Sequence, residues 1–161
     1  MSRVAAIALR PATPADAALL LAWRNDPETR RNSRRQHALS WAELIAAPVG
    51  AERATYVGES DGRPVGSVHI DRAAGPDGGL RYELSWTVAP GARGRGIGKA
   101  LVAAALAEAE RLGGWSGALA IVAMIKPENI ASSRIATSLG FIAEGEQDGL
   151  VIWRRRGPEG R

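Results

Sequence analysis

Between an alternating segment, Leu80 to Val88, and an Ala/Leu-rich one, Ile97 to Leu112, the chain reads Val88-Ala89-Pro90-Gly91-Ala92-Arg93-Gly94-Arg95-Gly96-Ile97-Gly98-Lys99. A strand must end and a helix must begin inside this stretch, and no other part of the chain limits the fold so strongly. Glycine lets the backbone approach a ligand closely. The first amides of the following helix have no partner within it, so they point outward as an anion cradle. A pyrophosphate fits such a cradle. Arg93, Arg95 and Lys99 would add charge at its rim, or be solvated there.

The elements around the loop follow from periodicity and punctuation. Val4 to Leu9 reads as a strand, and Thr13-Pro14-Ala15-Asp16 opens a helix through Leu20, Leu21 and Trp23. Asp26-Pro27-Glu28 starts a second short helix, and Ser40-Trp41-Ala42-Glu43 is a capping-box start for a third. Arg53 to Glu59 and Val65 to Asp71 form a hairpin around Ser60-Asp61-Gly62-Arg63. A Gly75-Pro76-Asp77-Gly78-Gly79 loop leads into the strand Leu80 to Val88, with Tyr82, Leu84 and Trp86 on one face and Glu83, Ser85 and Thr87 on the other. Gly113 and Gly114 end the helix begun at Ile97. Ala118 to Ile125 is an apolar run suited to a central strand. Asn129 begins a helix that stops at Gly140, and Phe141 to Arg154 closes as a hairpin around Asp148-Gly149. The expected fold is a single α/β (α+β) domain over 1–161, a mixed, mostly antiparallel sheet of about seven strands flanked by four to five helices.

Composition excludes several chemistries. With no cysteine, the chain has no disulfide framework, no thiolate nucleophile and no sulfur-ligated zinc site. His37 and His69 are its only imidazoles, and their spacing suggests no metal. His37 falls in the N-terminal part, and His69 faces either a cleft or solvent. No apolar run reaches the ~18 residues of a membrane span, and Met1-Ser2-Arg3 does not resemble a signal peptide. A cytoplasmic protein with no membrane partner is expected. The net charge of +4 favours anionic partners. Sparse aromatics argue against nucleic acid as the main one.

Two familiar phosphate loops do not fit. Ala100 follows Lys99 where a Walker loop needs Ser or Thr, and Gly91, Gly94, Gly96 and Gly98 do not give G-x-G-x-x-G. The chain instead resembles the GNAT superfamily of acyl-CoA-dependent N-acetyltransferases. Arg93, Gly96 and Gly98 match its Arg/Gln-x-x-Gly-x-Gly/Ala signature, preceded by Val88 and Pro90 of a Val-x-Pro. Pro127-Glu128-Asn129, Ser132, Ser133, Arg134 and Leu139-Gly140-Phe141 are similar to the family's second block, and the order of elements agrees along the chain.

The resemblance implies acetyl-CoA as co-substrate and no metal. It implies that Trp86, Thr87 and Val88 splay from the neighbouring strand near Met124 and pair with the pantetheine arm. Amides of Gly94, Arg95, Gly96, Ile97, Gly98 and Lys99 would hold the pyrophosphate, with Arg93 at the rim. Val88 N–H would face the thioester oxygen, and Asn129 and Ser132 would contact the cofactor. Asn129 is equally a helix N-cap. Glu83 is the expected base for a primary amine, against its alternative as a surface carboxylate or arginine partner. Two family positions are altered here: Ala136 stands where many members carry a tyrosine acid, and Met124 where some carry a glutamate. Tyr82, Ser85 or water would substitute.

The segment Leu21 to Glu28 with Ser33 and Leu39-Ser40-Trp41 is similar to enzymes that acetylate nucleotide-linked amino sugars, although Ile45 replaces their histidine. On that reading Arg24, Asn25 and the Arg30 to Arg35 cluster bind the nucleotide and Tyr82 lies near the substrate. The alternatives are a core Trp23 and a solvated arginine face. Peptide or protein N-terminal acetylation is the second functional reading, and a non-catalytic acyl-CoA sensor the third. A homodimer is left open.

Overall fold

The structure is a computed structural model that describes residues 6–75, 78–113 and 120–156. The expected Val4 and Ala5 of the first strand, Pro76 and Asp77 of the loop, Gly114, and Ala118 and Leu119 lie outside the described residues.

Strand β1 (Ala8–Pro11) is followed by one 3-10 turn and three short helices, α1 (Ala17–Arg24), α2 (Pro27–Arg31) and α3 (Trp41–Ile45). Local caps explain each start. Asp26 accepts from the amides of Glu28 and Thr29 ahead of Pro27. Ser40 and Glu43 bond each other's amides reciprocally at 2.9 and 3.2 Å. Strands β2 (Ala51–Ser60), β3 (Arg63–Ala74) and β4 (Leu80–Val88) come next, then α4 (Ile97–Gly113), β5 (Ala120–Ile125), α5 (Ile130–Ser138), β6 (Ile142–Gln147) and β7 (Leu150–Arg156).

These strands form one mixed sheet in the order β1-β2-β3-β4-β5-β7-β6, antiparallel at every step except β4 to β5. Asp61-Gly62 and Asp148-Gly149 close the two hairpins with all four residues at positive φ, from 51° to 79°. That handedness matches the right-handed strand twist. Ala6 and Ile7 lie outside the first strand, which runs on to Pro11, because its partners are Tyr56 to Glu59 of β2.

One face of the sheet packs on α4. Leu101, Ala105, Leu106 and Ala109 meet Val68, Ile70, Tyr82, Leu84 and Ile121 there. The other face is half apolar and half polar. Leu20 and Trp23 of α1 join Val57, Ala89, Ala92 and Ile97 in a second core cluster, while Ser67, His69, Glu83, Ser85 and Thr87 face a cleft beside it.

The α4 contact demands bare backbone at Gly66. A Cβ placed on Gly66 would sit 2.7 Å from Leu101 Cδ2 and 2.8 Å from the Thr87 carbonyl oxygen, and the latter cannot move without disturbing β4. Gly66→Ala is therefore expected to cost about 1–3 kcal/mol as overpacking, read as a lowered urea midpoint with an unchanged slope.

Candidate active site

Among the described residues, strands β4 and β5 run side by side for three pairs, Arg81↔Ala120, Tyr82↔Ile121 and Glu83↔Val122. Beyond Glu83 they part. β4 stays bonded to β3 as far as Val88↔Gly66, and β5 stays bonded to β7 as far as Ile125↔Val151. The Ala89 amide donates to the Val65 carbonyl at 2.9 Å, which fixes the phase of the antiparallel ladder. Bonded pairs alternate, so Thr87, Ser85 and Glu83 turn their backbone groups toward β3. Those of Leu84, Trp86 and Val88 point into the opening left by β5.

A cleft of about 500 Å³ lies along this opening. Trp86, Thr87, Met124, Asn129 and Ser132 line one end. The other end is walled by α1, by the loop from Asn32 to Leu39 and by the segment after α3, with Arg24, Arg34, Arg35 and Arg53 among its residues. Ser67 and His69 line the cleft opposite Thr87 and Ser85, and Glu83 lies opposite Asp71, the partner of Arg53. The Glu83 carboxylate has Arg34 on one side and Arg81 on the other, each at 3.5 Å.

The polar wall is held by cross-strand partners. Arg53 grips Asp71 with two bonds of 2.7 and 2.9 Å and donates to the Leu44 carbonyl at 3.0 Å. Asp71 is the one buried charged residue among those described, 4% exposed. Thr55 Oγ1 and His69 Nδ1 lie 2.9 Å apart. Burial, with the Arg53 and Arg24 charges added, pushes the His69 imidazole down to about 3, so it is neutral at physiological pH.

The glycine-rich loop lies at the end of β4, beyond the walls of the cleft. Gly94 and Gly96 have φ of 78° and 76°, accessible to glycine without strain. The first helical bond runs from Ala100 N–H to the Gly96 carbonyl, which leaves the earlier amides of α4 without a helical acceptor. Gly91, Gly94, Arg95, Gly96 and Lys99 are exposed, whereas Ile97 is buried in the second core cluster. Gly98 has a packing reason of its own: a Cβ there would lie 2.7 Å from Ile135 Cδ1 of α5.

Several predicted site residues have other employment. Tyr82 is 3% exposed beneath α4, on the sheet face away from the cleft, so it does not reach a substrate. Asn25 is committed to the backbone of Leu39, accepting from its amide at 2.8 Å and donating to its carbonyl at 3.1 Å. Arg30 donates to the Gln36 carbonyl at 2.8 Å, and Arg24 to that of Arg35. These side chains shape the loop over the cleft; of the three, Arg24 also lines it. Arg93 is drawn to α2, with Asp26 at 2.8 Å and Thr29 at 3.1 Å, so its guanidinium is not free at the loop's rim. That ion pair holds the Asp26 carboxyl below its usual range. Asn129 caps α5, accepting from Ser132 N–H at 3.2 Å, and lines the cleft as well. His69 faces the cleft, and exposed His37 sits 3.4 Å from Glu43. Trp23 is core, as its alternative reading held. Among the described residues no group of His, Asp and Glu is gathered for a metal, and no helix is long and apolar enough to cross a membrane.

A central parallel pair that opens over a cleft, with a glycine loop leading into the next helix, defines the class of acyl-CoA-dependent transferases. The family follows from sequence: residues 6–142 match the model of the acetyltransferase (GNAT) domain, and the chain belongs to that family. It is an acetyltransferase with acetyl-CoA as co-substrate. A search of curated proteins gives no match. Among solved structures, AAC(6')-Ib in complex with ribostamycin and coenzyme A is similar at 21% identity, with a TM-score of 0.75 over 94% of this chain and 93% of that one. A domain from Methanocaldococcus jannaschii is similar at 22% identity and 0.75, over 94% and 98%. The ribosomal-protein-alanine N-acetyltransferase from Brucella melitensis is similar at 24% identity and 0.69, over 93% and 99%. At these identities the likeness concerns the fold.

The neutral His69 has a pH signature. The folded imidazole takes a proton only near pH 3, while the free side chain does so near 6.5, so the unfolded chain holds the extra proton in between. The stabilisation is complete above about pH 6.5 and is lost as pH falls toward 3. Urea unfolding at pH 7 and pH 5 should show about 2 kcal/mol lost through this group, a difference absent from His69→Gln.

Proposed function

We propose that the protein moves the acetyl group of acetyl-CoA to a primary amine by direct attack, with Glu83 as the base. One observation carries this reading: β4 leaves β5 beside Glu83, so an edge of unpaired main-chain groups and a carboxylate share one cleft. An ammonium has no lone pair with which to attack. Glu83 takes its proton, directly or through water, and the amine nitrogen then bonds the thioester carbon. The Val88 amide donates to the oxygen on which negative charge develops. Breaking the carbon–sulfur bond releases the thiolate, which takes, relayed through water or Ser85, the proton that the nitrogen sheds on becoming an amide. An ordinary thiol pKa of about 8.5 makes that departure feasible without a dedicated acid.

Chain residues supply the rest. Main-chain groups of Trp86 and Val88, with Thr87 beside them, would pair with the pantetheine amides. The amides of Gly94 through Lys99 would hold the pyrophosphate at the start of α4. Asn129 and Ser132 would border the arm. Arg93 would act indirectly, its side chain tying the loop to α2.

For the acceptor we propose a nucleotide-linked amino sugar. Its support is that the segment carrying that sequence likeness, Leu21 to Trp41, supplies the second half of α1, all of α2 and the loop over the cleft beside Glu83. Peptide N-terminal acetylation is the second reading, favoured by the position of Glu83 and by the fold shared with the Brucella melitensis enzyme.

Free thiol release from acetyl-CoA, followed with panels of nucleotide amino sugars, peptides and polyamines, tests the activity. CoA binding without release above background would point to a sensor. Glu83→Gln should lower kcat by about 10²-fold to 10⁴-fold at neutral and lower pH, less at high pH where the amine is already neutral, and leave CoA affinity unchanged. Gly96→Val, which puts a β-branched residue at φ 76°, should weaken CoA binding in calorimetry.

A further inference from the structure

Four guanidinium groups line the cleft, those of Arg24, Arg34, Arg35 and Arg53, against the single carboxylate of Glu83. Only Arg53 is fully matched, by Asp71 and the Leu44 carbonyl. Arg24 forms no ion pair among the described residues. Its Nη2 bonds the Arg35 carbonyl, and its Nη1 is shut off from water with no hydrogen-bond partner. Burial, and then the like charges of Arg35 and Arg30, push this guanidinium below its ordinary pKa. A half-buried cation without counter-charge still costs desolvation, and an anion supplied from outside would offset it. Arg35 is similarly unmatched, its guanidinium reaching only the Glu43 carbonyl at 3.4 Å. Arg34 has Glu83 at 3.5 Å, and Glu83 is shared with Arg81.

We propose that the acceptor end of the cleft contains an oxyanion subsite built on Arg24, Arg34 and Arg35, which receives a phosphate or carboxylate group of the amine substrate. It rests on the reading of this cleft as the acceptor site, and it names the substrate class by charge. Guanidinium forks match oxyanions in two-point geometry. The subsite is preformed, because Asn25, Arg24 and Arg30 fasten the loop backbone at Leu39, Arg35 and Gln36. An anion there competes with Glu83 for Arg34. Seating the substrate's acidic group would thus draw one of two cations away from the base next to the amine. A polycationic acceptor gains nothing from such a wall.

The test uses the full chain saturated with CoA, so that the phosphate loop is filled, at constant ionic strength. Inorganic pyrophosphate and, separately, succinate are titrated in by calorimetry. Saturable uptake is expected, weakened on the order of tenfold in Arg34→Gln and again in Arg35→Gln, with CoA affinity unchanged. Uptake of pyrophosphate alone assigns a phosphorylated acceptor, and of succinate alone a carboxylated one. Absence of uptake of either anion, or uptake equally strong in both variants, overturns the subsite. CoA affinity is measured first; its failure would count against the transferase reading, and the comparison of anion uptake between the unaltered chain and the Arg34→Gln and Arg35→Gln variants would still decide the subsite.

Discussion

The site depends on one broken pairing. Strand β4 is held on its β3 side along its whole length, and β5 on its β7 side along its whole length, yet among the described residues the two pair with each other only from Arg81 to Glu83. Past Glu83 each strand is bonded only on its outer side, β4 to β3 and β5 to β7, and the cleft is the gap between their inner edges. Main-chain groups in such a gap seek partners, because a buried donor or acceptor left unpaired costs about 1–3 kcal/mol. An extended amide-bearing ligand is the natural occupant. Lys126, just past β5, donates to the Arg31 carbonyl at 2.7 Å and links the far lip to α2.

The polar face of the sheet is stable because its members satisfy one another across strands. Arg53 and Asp71 are register partners, as are Thr55 and His69. Removing one member of a buried ion pair costs about 3–5 kcal/mol, since the other is left charged and alone. The same face thus separates into residues neutralised by neighbours and residues that are not. Arg24 and Arg35 belong to the second group, Arg34 and Arg81 divide the single carboxylate of Glu83, and Arg24, Arg34, Arg35 and Glu83 gather at the cleft.

Much of this was legible in the residues. The glycine loop located the turn from β4 to α4, and Asp-Gly pairs located both hairpins. Strict alternation along β4 put Glu83 opposite the core face, and the same alternation puts Tyr82 within it, so a substrate role for Tyr82 contradicted its own periodicity. The contact of Arg53 with Asp71 was hidden by a bulge. Counting back from the Ser60↔Arg63 pair sets Arg53 opposite Ile70, but the register slips by one between Gly58 and Glu59 and brings Asp71 across instead. Arg93 with Asp26 and Arg34 with Glu83 join residues 67 and 49 apart, and nothing local encodes such pairings. Gly98 looked like a ligand contact because it lies in a phosphate loop, while its close approach to Ile135 is a matter of helix packing.

The altered position in α5 has a structural counterpart. Asn129, Ser132 and Ala136 fall near one face of the helix at spacings of three and four, and the first two reach the cleft. Ala136 is fully buried in the α4 cluster with Phe141. Its amide-to-backbone surroundings are equally tight, for Phe141 N–H bonds the Ala136 carbonyl at 3.0 Å. Ala136 thus belongs to the same contact of α5 with α4 in which Gly98 admits Ile135, and it presents no acid to the cleft. On the proposed mechanism the leaving group then departs on the strength of its own acidity, and the burden of rate falls on the base and on the alignment of the amine.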